Sequence, residues 1–416
     1  MSQSAAPVTP AASLLPLRLA RAGYALLVLL PLAMWLANRS SPLFLGLAAL
    51  CFVASAVTED GWPAFLKRAL ALLRSPVGIS LSLFLLWSLI TIAWSHRPVP
   101  SLAAWGELAL PLASGLAIAA SNRFRPGRAE SRALAVAAAA AAVFILAELA
   151  SDLSVRVALG IGKQMTFIFN RPALTCQMLL PVAAAGLLAA RGRSPLDWLL
   201  CAVLVFAIGA LSLDSDSGAA ALGLLIMLAT WLAARLLPRL MLALVALAFT
   251  ATMVLAPVMG RLGDEGLPPS LHERLASSHS RDRVDIWLSF GEAIMARPLL
   301  GSGFGTSPTL DRHPVALEVS PPRRQLLAVG HPHSAPVQAW VETGAVGGIL
   351  IVFAGLGFLW RLRRLSARAL APRLALAAAA FAVATLAHGA WQGWWIAVLA
   401  LAGAWFYQAV PEGEGS

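Results

Sequence analysis

The chain has few charged residues and few cysteines. Only 12% of its 416 residues are Asp, Glu, Lys or Arg, whereas 59% are hydrophobic. A soluble domain carries about 25% charged residues, so this composition excludes an ordinary soluble protein. The three cysteines, Cys51, Cys176 and Cys201, all lie in apolar stretches, which argues against a disulfide framework or a cysteine metal site. The composition is that of a membrane protein.

Long apolar runs fill most of the chain. A helix needs about 20 apolar residues to cross the hydrocarbon core of a bilayer, and about twelve segments approach this length. We therefore predict an all-α polytopic membrane protein of about twelve transmembrane helices with one large outer loop that contains short helices. The predicted regions are 1–255 with the first nine spans, 256–335 as the outer loop, and 336–416 with the last three spans and a short cytoplasmic tail.

The positive charge follows membrane topology. The net charge is +11, which by itself could indicate a nucleic-acid partner. With the N-terminus inside, however, eighteen Lys and Arg residues fall on the inner side and five fall in the short outer loops. Such a bias marks cytoplasmic loops. We therefore expect both termini in the cytoplasm and no nucleic-acid partner.

The outer loop, 256–335, is the exception to this bias. It holds eight arginines and five of the seven histidines, and it ends on His331-Pro332-His333-Ser334 against the next apolar segment. Arginine suits the capture of phosphate oxygens, and histidine suits proton abstraction near neutral pH. The loop thus predicts a site for an anionic lipid headgroup beside a base. The alternatives are interfacial helix capping by the histidines and local ion pairs for the arginines.

The candidate residues form a basic group and a polar helix start. The arginines are Arg261, Arg274, Arg281 and Arg283 in the loop and Arg171 at the outer end of the sixth span. Gln338 and Glu342 lie one helical turn apart in the tenth span, where Glu342 could orient His333, or an acceptor, or pair with a neighbouring helix. No Asp, Glu or Cys set accompanies the histidines, so we expect no metal and no cofactor.

Three further segments of the sequence carry structural predictions. Residues 283–296 place Ile286, Phe290 and Ile294 on one face of a surface helix, which Arg297-Pro298 closes. Alternate glycines at 301–305 indicate a tight backbone path. Asp216 or Ser217 is expected to cap the eighth span.

Several of these motifs resemble those of the O-antigen ligase family. His333-Ser334, followed by Gln338, Glu342 and a Gly-x-x-Gly run at 344–347, is similar to the signature of that family. The segments 283–287 and 298–305 resemble the sequence that precedes the signature, and Asn170-Arg171-Pro172 resembles an Asn-Arg element at the head of a mid-chain span. The likeness covers most of the chain.

The resemblance implies a function and a set of roles. It implies an inner-membrane glycosyltransferase whose large loop is periplasmic, with an undecaprenyl-diphosphate-linked glycan as donor and a lipid A-core sugar as acceptor. His333 would be the catalytic base of a metal-independent inverting transfer, and Arg171, Arg261 and Arg283 would bind the donor diphosphate. His331, Arg281, Arg274, Glu342 and Gln338 are possible supporting residues.

The resemblance has two departures and leaves alternatives open. Asp216-Ser217-Gly218 stands where many members have a Ser-Arg-Gly-like run, and Ser334 stands where Asn is commoner. A polysaccharide polymerase or a protein O-oligosaccharyltransferase of the same superfamily would use the same donor chemistry. A transporter or flippase of lipid-linked glycans would instead be expected to contain broken helices and ionisable residues near the midplane.

Overall fold

The computed structural model describes residues 14–161, 165–189, 192–266, 268, 270, 273 and 280–408. These residues form α-helices and short 3₁₀ turns without any strand, so the prediction of an all-α membrane protein is confirmed. The first half comprises α1 (Leu14–Leu36), α2 (Ser41–Asp60), α3 (Trp62–Leu73), α4 (Pro76–Thr91), α5 (Pro98–Ser121), α6 (Arg128–Ala150), α7 (Ser154–Ala158), α8 (Asn170–Ala189) and α9 (Pro195–Asp214).

The second half contains the large loop and the last apolar helices. The helices are α10 (Gly218–Leu236), α11 (Pro238–Leu255), α12 (Met259–Gly266), α13 (Ser280–Ala296), α14 (Pro321–Arg324), α15 (Ala335–Leu362), α16 (Ala367–Leu386) and α17 (Gly393–Gln408). Among the described residues, eleven helices are long and apolar enough to cross a membrane. Helix α17, the twelfth predicted span, has 16 residues and is shorter than the about 20 that a straight crossing needs.

Helix α8 lies at the centre of the helix bundle. Of its apolar window, 78% is buried inside the protein, and it packs against α6, α9, α16 and α17. A helix that is apolar on all sides is one that other helices surround. Arg171 is the second residue of α8, so the position of this arginine is set by the most enclosed element of the fold.

The large loop has a hydrophobic core of its own. The predicted surface helix is confirmed as α13, and its buried face carries Ile286, Phe290 and Ile294. These side chains cluster with loop residues such as Leu310 and with Val337 at the start of α15. Because α13 packs directly on α15, its arginines are held in a constant position relative to the His331–His333 segment.

Helix α15 is interrupted at Gly344. This glycine has φ +64° and ψ −166°, a conformation open essentially only to glycine. Loop residues fill the break. The N–H groups of Ser302 and Gly303 donate to the carbonyls of Val341 and Glu342 at 2.7 and 3.0 Å. Every backbone group freed by the break needs such a partner, since unpaired groups in lipid cost several kcal/mol.

We call this pairing between the loop and the break in α15 the joint. Its second half lies on the C-terminal side of Gly344. The N–H of Ala345 donates to the carbonyl of Pro298 at 2.9 Å. The three alternate glycines predicted to make a tight path, Gly301, Gly303 and Gly305, all have positive φ angles. A Cβ on Gly301 would lie 2.6 Å from backbone atoms of α15. The glycines therefore allow the loop backbone to enter the helix break.

The carboxylate of Glu342 joins three segments at this point. It is fully buried and accepts hydrogen bonds from the N–H groups of Gly305 and Ser307 at 2.7 and 3.1 Å. It also accepts from the Trp391 indole at 2.7 Å and from the Gln338 amide at 3.0 Å. Four donors satisfy the carboxylate, so Glu342 fastens the loop and the α16–α17 turn to α15.

Substituting Gly344 tests this joint. We expect Gly344→Ala to lower the free energy of unfolding by about 3–5 kcal/mol, because a positive-φ backbone would carry a side chain and the joint would be forced apart. The added Cβ would lie 2.2 Å from the Leu299 carbonyl oxygen. Thermal unfolding in detergent measures the effect.

Gly403→Ala is the matched control. Gly403 lies in α17, and a Cβ there meets no atom within 4 Å, so the change should be neutral or stabilise by up to about 1 kcal/mol through helix propensity. Equal stability of the two variants would contradict a tight joint at Gly344.

Candidate active site

Three histidines meet beside the start of α15. His331 and His333 belong to the turn before this helix, and their ring centroids are 4.2 Å apart. His388 lies in the turn between α16 and α17, against the rings of Trp394 and Trp395 at 5.2 Å each. It is close enough to interact electrostatically with both other histidines. The site thus combines residues that are more than fifty positions apart in the chain.

The His333 imidazole is oriented by a backbone carbonyl. The Ala387 backbone carbonyl lies close enough to one ring nitrogen to favour a proton there, since a carbonyl oxygen can only accept. This proximity favours the ring proton on that nitrogen and leaves the other nitrogen as an acceptor, which is the arrangement a general base requires. His333 therefore offers one nitrogen as a candidate base, and the Ala387 carbonyl is the group that orients its ring.

The backbone of His333 adopts an unusual conformation. Its φ is +50°, in the left-handed region that costs an L-residue about 1–2 kcal/mol. The turn is held from outside by the Trp287 indole of α13, which donates to the Pro332 carbonyl at 2.9 Å. Strained residues of this kind persist where the surroundings fix them, and they cluster at functional sites.

All three imidazoles are neutral near pH 7. Burial is the main cause that lowers the pKa of His333, and the nearby Arg283 lowers it further, against the opposing bond to Ala387. Burial, followed by His333 and Arg171, lowers the pKa of His331 to about 4. Burial also dominates in lowering the pKa of His388 to about 3. A neutral imidazole can accept a proton, so the shifts favour base chemistry.

Two arginines supply positive charge to this cluster. Arg171 and Arg283 are both partly buried, and each is near enough to lower the pKa of a site histidine. The Arg171 guanidinium lies 5.9 Å from the centroid of the Trp394 ring. Neither side chain forms an ion pair or a hydrogen bond with any residue that the structure describes. The carboxylate of Glu107 acts on Arg171 from nearby without forming an ion pair, and burial is the only influence on the pKa of Arg283. Partly desolvated arginines that no ion pair occupies are suited to an anionic ligand.

The remaining predicted arginines are not brought to the cluster. Arg281 pairs with Asp264 at 2.7 Å and with Asp285 at 3.0 Å, as the ion-pair alternative anticipated. Arg261 lines a surface groove with Glu292. Because Glu292 and Arg283 are nine residues apart on α13, they point to opposite faces of this helix. Arg274 lies outside the described residues.

Gln338 and Glu342 form no hydrogen bond with His333, and they hold together the elements that carry the site. The prediction that Glu342 could orient His333 finds no such contact, because its oxygens are occupied by the donors of the helix joint. Gln338 accepts from the Ala390 N–H at 2.8 Å and so connects Glu342 to the turn that bears His388. Ser334 is buried, and its hydroxyl has no hydrogen-bond partner among the described residues. It therefore does not orient His333.

The capping prediction for the eighth span is confirmed at Ser217. Its hydroxyl accepts from the Ala220 N–H at 3.2 Å at the start of α10. The carboxylate of Asp216 instead accepts a hydrogen bond from the Thr166 hydroxyl. The run therefore has a structural role at this turn.

The sequence reasoning missed two residues of the site. In the sequence His388 marks only a tight turn between apolar spans. A histidine at such a turn could nevertheless have indicated a site residue, because ionisable side chains are rare at membrane spans. Glu107 in α5 accepts from the Gly393 N–H at 3.3 Å and interacts electrostatically with Arg171. It is an exposed carboxylate within a candidate span, a placement that is frequently functional.

The arrangement can hold an anion beside a base. Two permanent cations face the same region as a neutral, oriented imidazole, and the surroundings are partly desolvated, which strengthens electrostatic interactions. No group of three or more His, Cys, Asp or Glu residues in the described part of the chain has the arrangement of a metal site. The residues present thus suit acid–base and electrostatic chemistry on a phosphate-bearing ligand.

Comparison with known families agrees with this chemistry. A family model described as O-antigen ligase matches residues 200–352, a range that contains Arg283, His333 and the joint at Gly344. Arg171 lies before the matched range. No curated protein matches the chain. The matched segment carries the site histidines of the loop and the helix that supports them, and over these residues the chain is similar to the O-antigen ligase family.

Proposed function

We propose that the protein is an O-antigen ligase of the bacterial inner membrane. It transfers a glycan from undecaprenyl diphosphate to a sugar hydroxyl of the lipid A-core on the periplasmic side, without a metal ion. The proposal goes beyond the family, whose members are glycosyltransferase-like enzymes of O-antigen ligation or polymerisation. The family match supports the chemistry, and the arrangement of the site supports the roles.

One observation carries the proposal. The fold places Arg283 from α13 beside a neutral His333 and Arg171 from α8 beside the adjoining His331. Neither arginine forms an ion pair with a described residue, although the carboxylate of Glu107 lies near Arg171. A diphosphate carries negative charge on two adjacent groups and would engage both cations. The base would then lie next to the carbon that the diphosphate activates.

The transfer is a single displacement. The free nitrogen of His333 takes the proton of the acceptor hydroxyl while its oxygen attacks the anomeric carbon of the donor sugar. The new C–O bond forms as the bond from this carbon to the phosphate oxygen breaks, and the diphosphate leaves with the electron pair. Attack opposite to the leaving group inverts the anomeric configuration. Arg171 and Arg283 stabilise the negative charge of the departing diphosphate.

The break in α15 does not favour the transporter alternative. Broken helices of transporters expose backbone groups or helix ends to the transported ion or substrate. Here loop residues 298–303 pair with the freed backbone groups, and Glu342 accepts four hydrogen bonds. The break is filled by protein, so it acts as a joint between the loop and the bundle.

Removing the base should abolish ligation. In proteoliposomes with lipid-linked glycan and lipid A-core, His333→Ala should lower kcat by about 10²–10⁴-fold, the usual contribution of a general base, while donor binding persists. His96→Ala, in the α4–α5 turn, is the matched control and should keep full activity. Activity of His333→Ala close to that of the native protein would exclude the base assignment.

Product identity decides between the members of the superfamily. The same proteoliposomes receive lipid A-core, a second lipid-linked glycan or an acceptor protein, one at a time. We expect glycan transfer only to lipid A-core. Chain elongation on the lipid-linked glycan would identify a polymerase, and glycosylated protein would identify a protein O-oligosaccharyltransferase.

The pH dependence of kcat/KM should report the environment of His333. The acid limb should have its midpoint below 6.5, the ordinary value for histidine, because burial and Arg283 disfavour the imidazolium. Activity is therefore retained as the pH falls to 6.5 and is lost at lower pH. In Arg283→Ala the repulsion disappears, so the midpoint should move to higher pH.

Arg281→Ala serves as the control on the same helix. Arg281 is exposed and paired with Asp264 and Asp285, so its removal should leave the midpoint in place. An unchanged or lower midpoint in Arg283→Ala would show that Arg283 does not act on the base.

Metal removal should have no effect. Exhaustive chelation with EDTA should leave the transfer rate unchanged, since the arginines and the imidazole together supply charge stabilisation and proton transfer. A strict requirement for a divalent cation, measured by loss and restoration of activity, would refute the proposed mechanism.

A further inference from the structure

The large loop contains two His-Pro turns that share the same hydrogen bond from a backbone N–H to a histidine Nδ1. In the first, the Val315 N–H donates to Nδ1 of His313 at 3.0 Å. In the second, the His333 N–H donates to Nδ1 of His331 at 3.2 Å. In both, a side-chain acceptor captures the N–H two residues later across a proline. This is the hydrogen bond of an Asx turn, in which Asn or Asp usually provides the acceptor.

The two turns differ in the residue after the proline. Val315 lies in an ordinary 3₁₀ turn, Pro314–Glu318, and it is not among the residues with positive φ. His333 has φ +50°, and its ring lies near the Ala387 carbonyl. Only the second turn therefore delivers a strained residue into the candidate active site.

The state of His331 fits an acceptor role. Nδ1 can accept from the His333 N–H only when it carries no proton, so the neutral ring must be protonated on Nε2. Burial, with His333 and Arg171, lowers the pKa of His331 to about 4. Nδ1 is thus available as an acceptor throughout the neutral range.

We propose that His331 is a positioning residue whose Nδ1 holds the His333 backbone in its left-handed conformation and thereby aims the His333 ring at the reacting hydroxyl. This inference rests on the proposed function, in which His333 is the base. It assigns His331 no contact with the donor or the acceptor. The competing role, donation from Nε2 to the donor diphosphate, uses the opposite edge of the same ring.

Two amide substitutions separate these roles. The side-chain oxygen of Asn occupies the position of Nδ1, whereas the amide of Gln reaches the position of Nε2. If the role of His331 is to accept the His333 N–H at Nδ1, His331→Asn keeps kcat within about threefold of the native value, because it restores the Asx turn. His331→Gln and His331→Ala should lower kcat by about 10- to 100-fold, as expected for a misplaced catalytic group, with the KM for the lipid-linked donor unchanged.

Hydrogen exchange provides a readout independent of activity. The His333 amide is protected by its bond to Nδ1, so peptides spanning 329–334 should exchange faster in His331→Gln and His331→Ala than in the native protein or in His331→Asn. Activity retained by Gln and lost in Asn would overturn the proposal in favour of an Nε2 contact. Equal kcat in all three variants, high or low, would also overturn it.

The first turn supplies the matched control. His313→Gln removes the same kind of bond, and it should lower thermal stability while leaving kcat per folded molecule unchanged. His313→Asn should preserve both. A fall in kcat for His313→Gln equal to that of His331→Gln would mean that any broken His-Pro turn inactivates the loop, which contradicts a specific role for His331.

The experiments distinguish a failure of the proposed function from a failure of this inference. If His333→Ala retains transfer activity, His333 is not the base and the proposed mechanism is wrong, whatever the His331 variants do. If His333→Ala is inactive and His331→Gln is fully active, the base assignment stands and only the positioning role is lost.

Discussion

A membrane helix that loses its backbone pairing must recover it from another part of the chain, and this constraint organises the protein. The break at Gly344 in α15 takes its partners from residues 298–303 of the large loop. Glu342 adds four hydrogen bonds to the same joint. The loop is thereby fastened to the bundle. Helix α13 packs on the start of α15 through their shared hydrophobic cluster, which brings Arg283 near His333.

The candidate site separates permanent charge from titratable groups. Arg171 and Arg283 remain cationic at any working pH, because a guanidinium is not deprotonated in proteins. The three histidines are held neutral, mainly by burial. The arginines therefore attract an anion, while His333 stays able to accept a proton. If the histidines had to attract the anion, they would have to be protonated. A protonated imidazole cannot accept a further proton, so such a site would have no base while its ligand was bound.

Periodicity and local chemistry predicted much of this protein. Hydropathy located the spans, the apolar face of α13 followed from the spacing of Ile286, Phe290 and Ile294, and a cap was recognisable at Asp216 or Ser217. Each of these depends on neighbours within a few residues. The involvement of Glu342 in a joint was not predictable in this way, since its four donors come from three segments. Arg281 and Arg283 likewise look alike in sequence. Only their contacts in the fold distinguish them, since Arg281 pairs with Asp264 and Asp285 whereas Arg283 lies near His333.

The sequence by itself determined the membrane class, the number of apolar segments, the family likeness and the presence of a basic, histidine-bearing loop. These properties depend on composition and on short-range pattern. The tertiary structure decided which cations reach the histidines, that His388 and Glu107 belong to the site, and that His333 adopts a left-handed backbone. Such outcomes depend on contacts between residues far apart in the chain, and the burial that lowers the pKa of the histidines exists only once those contacts form.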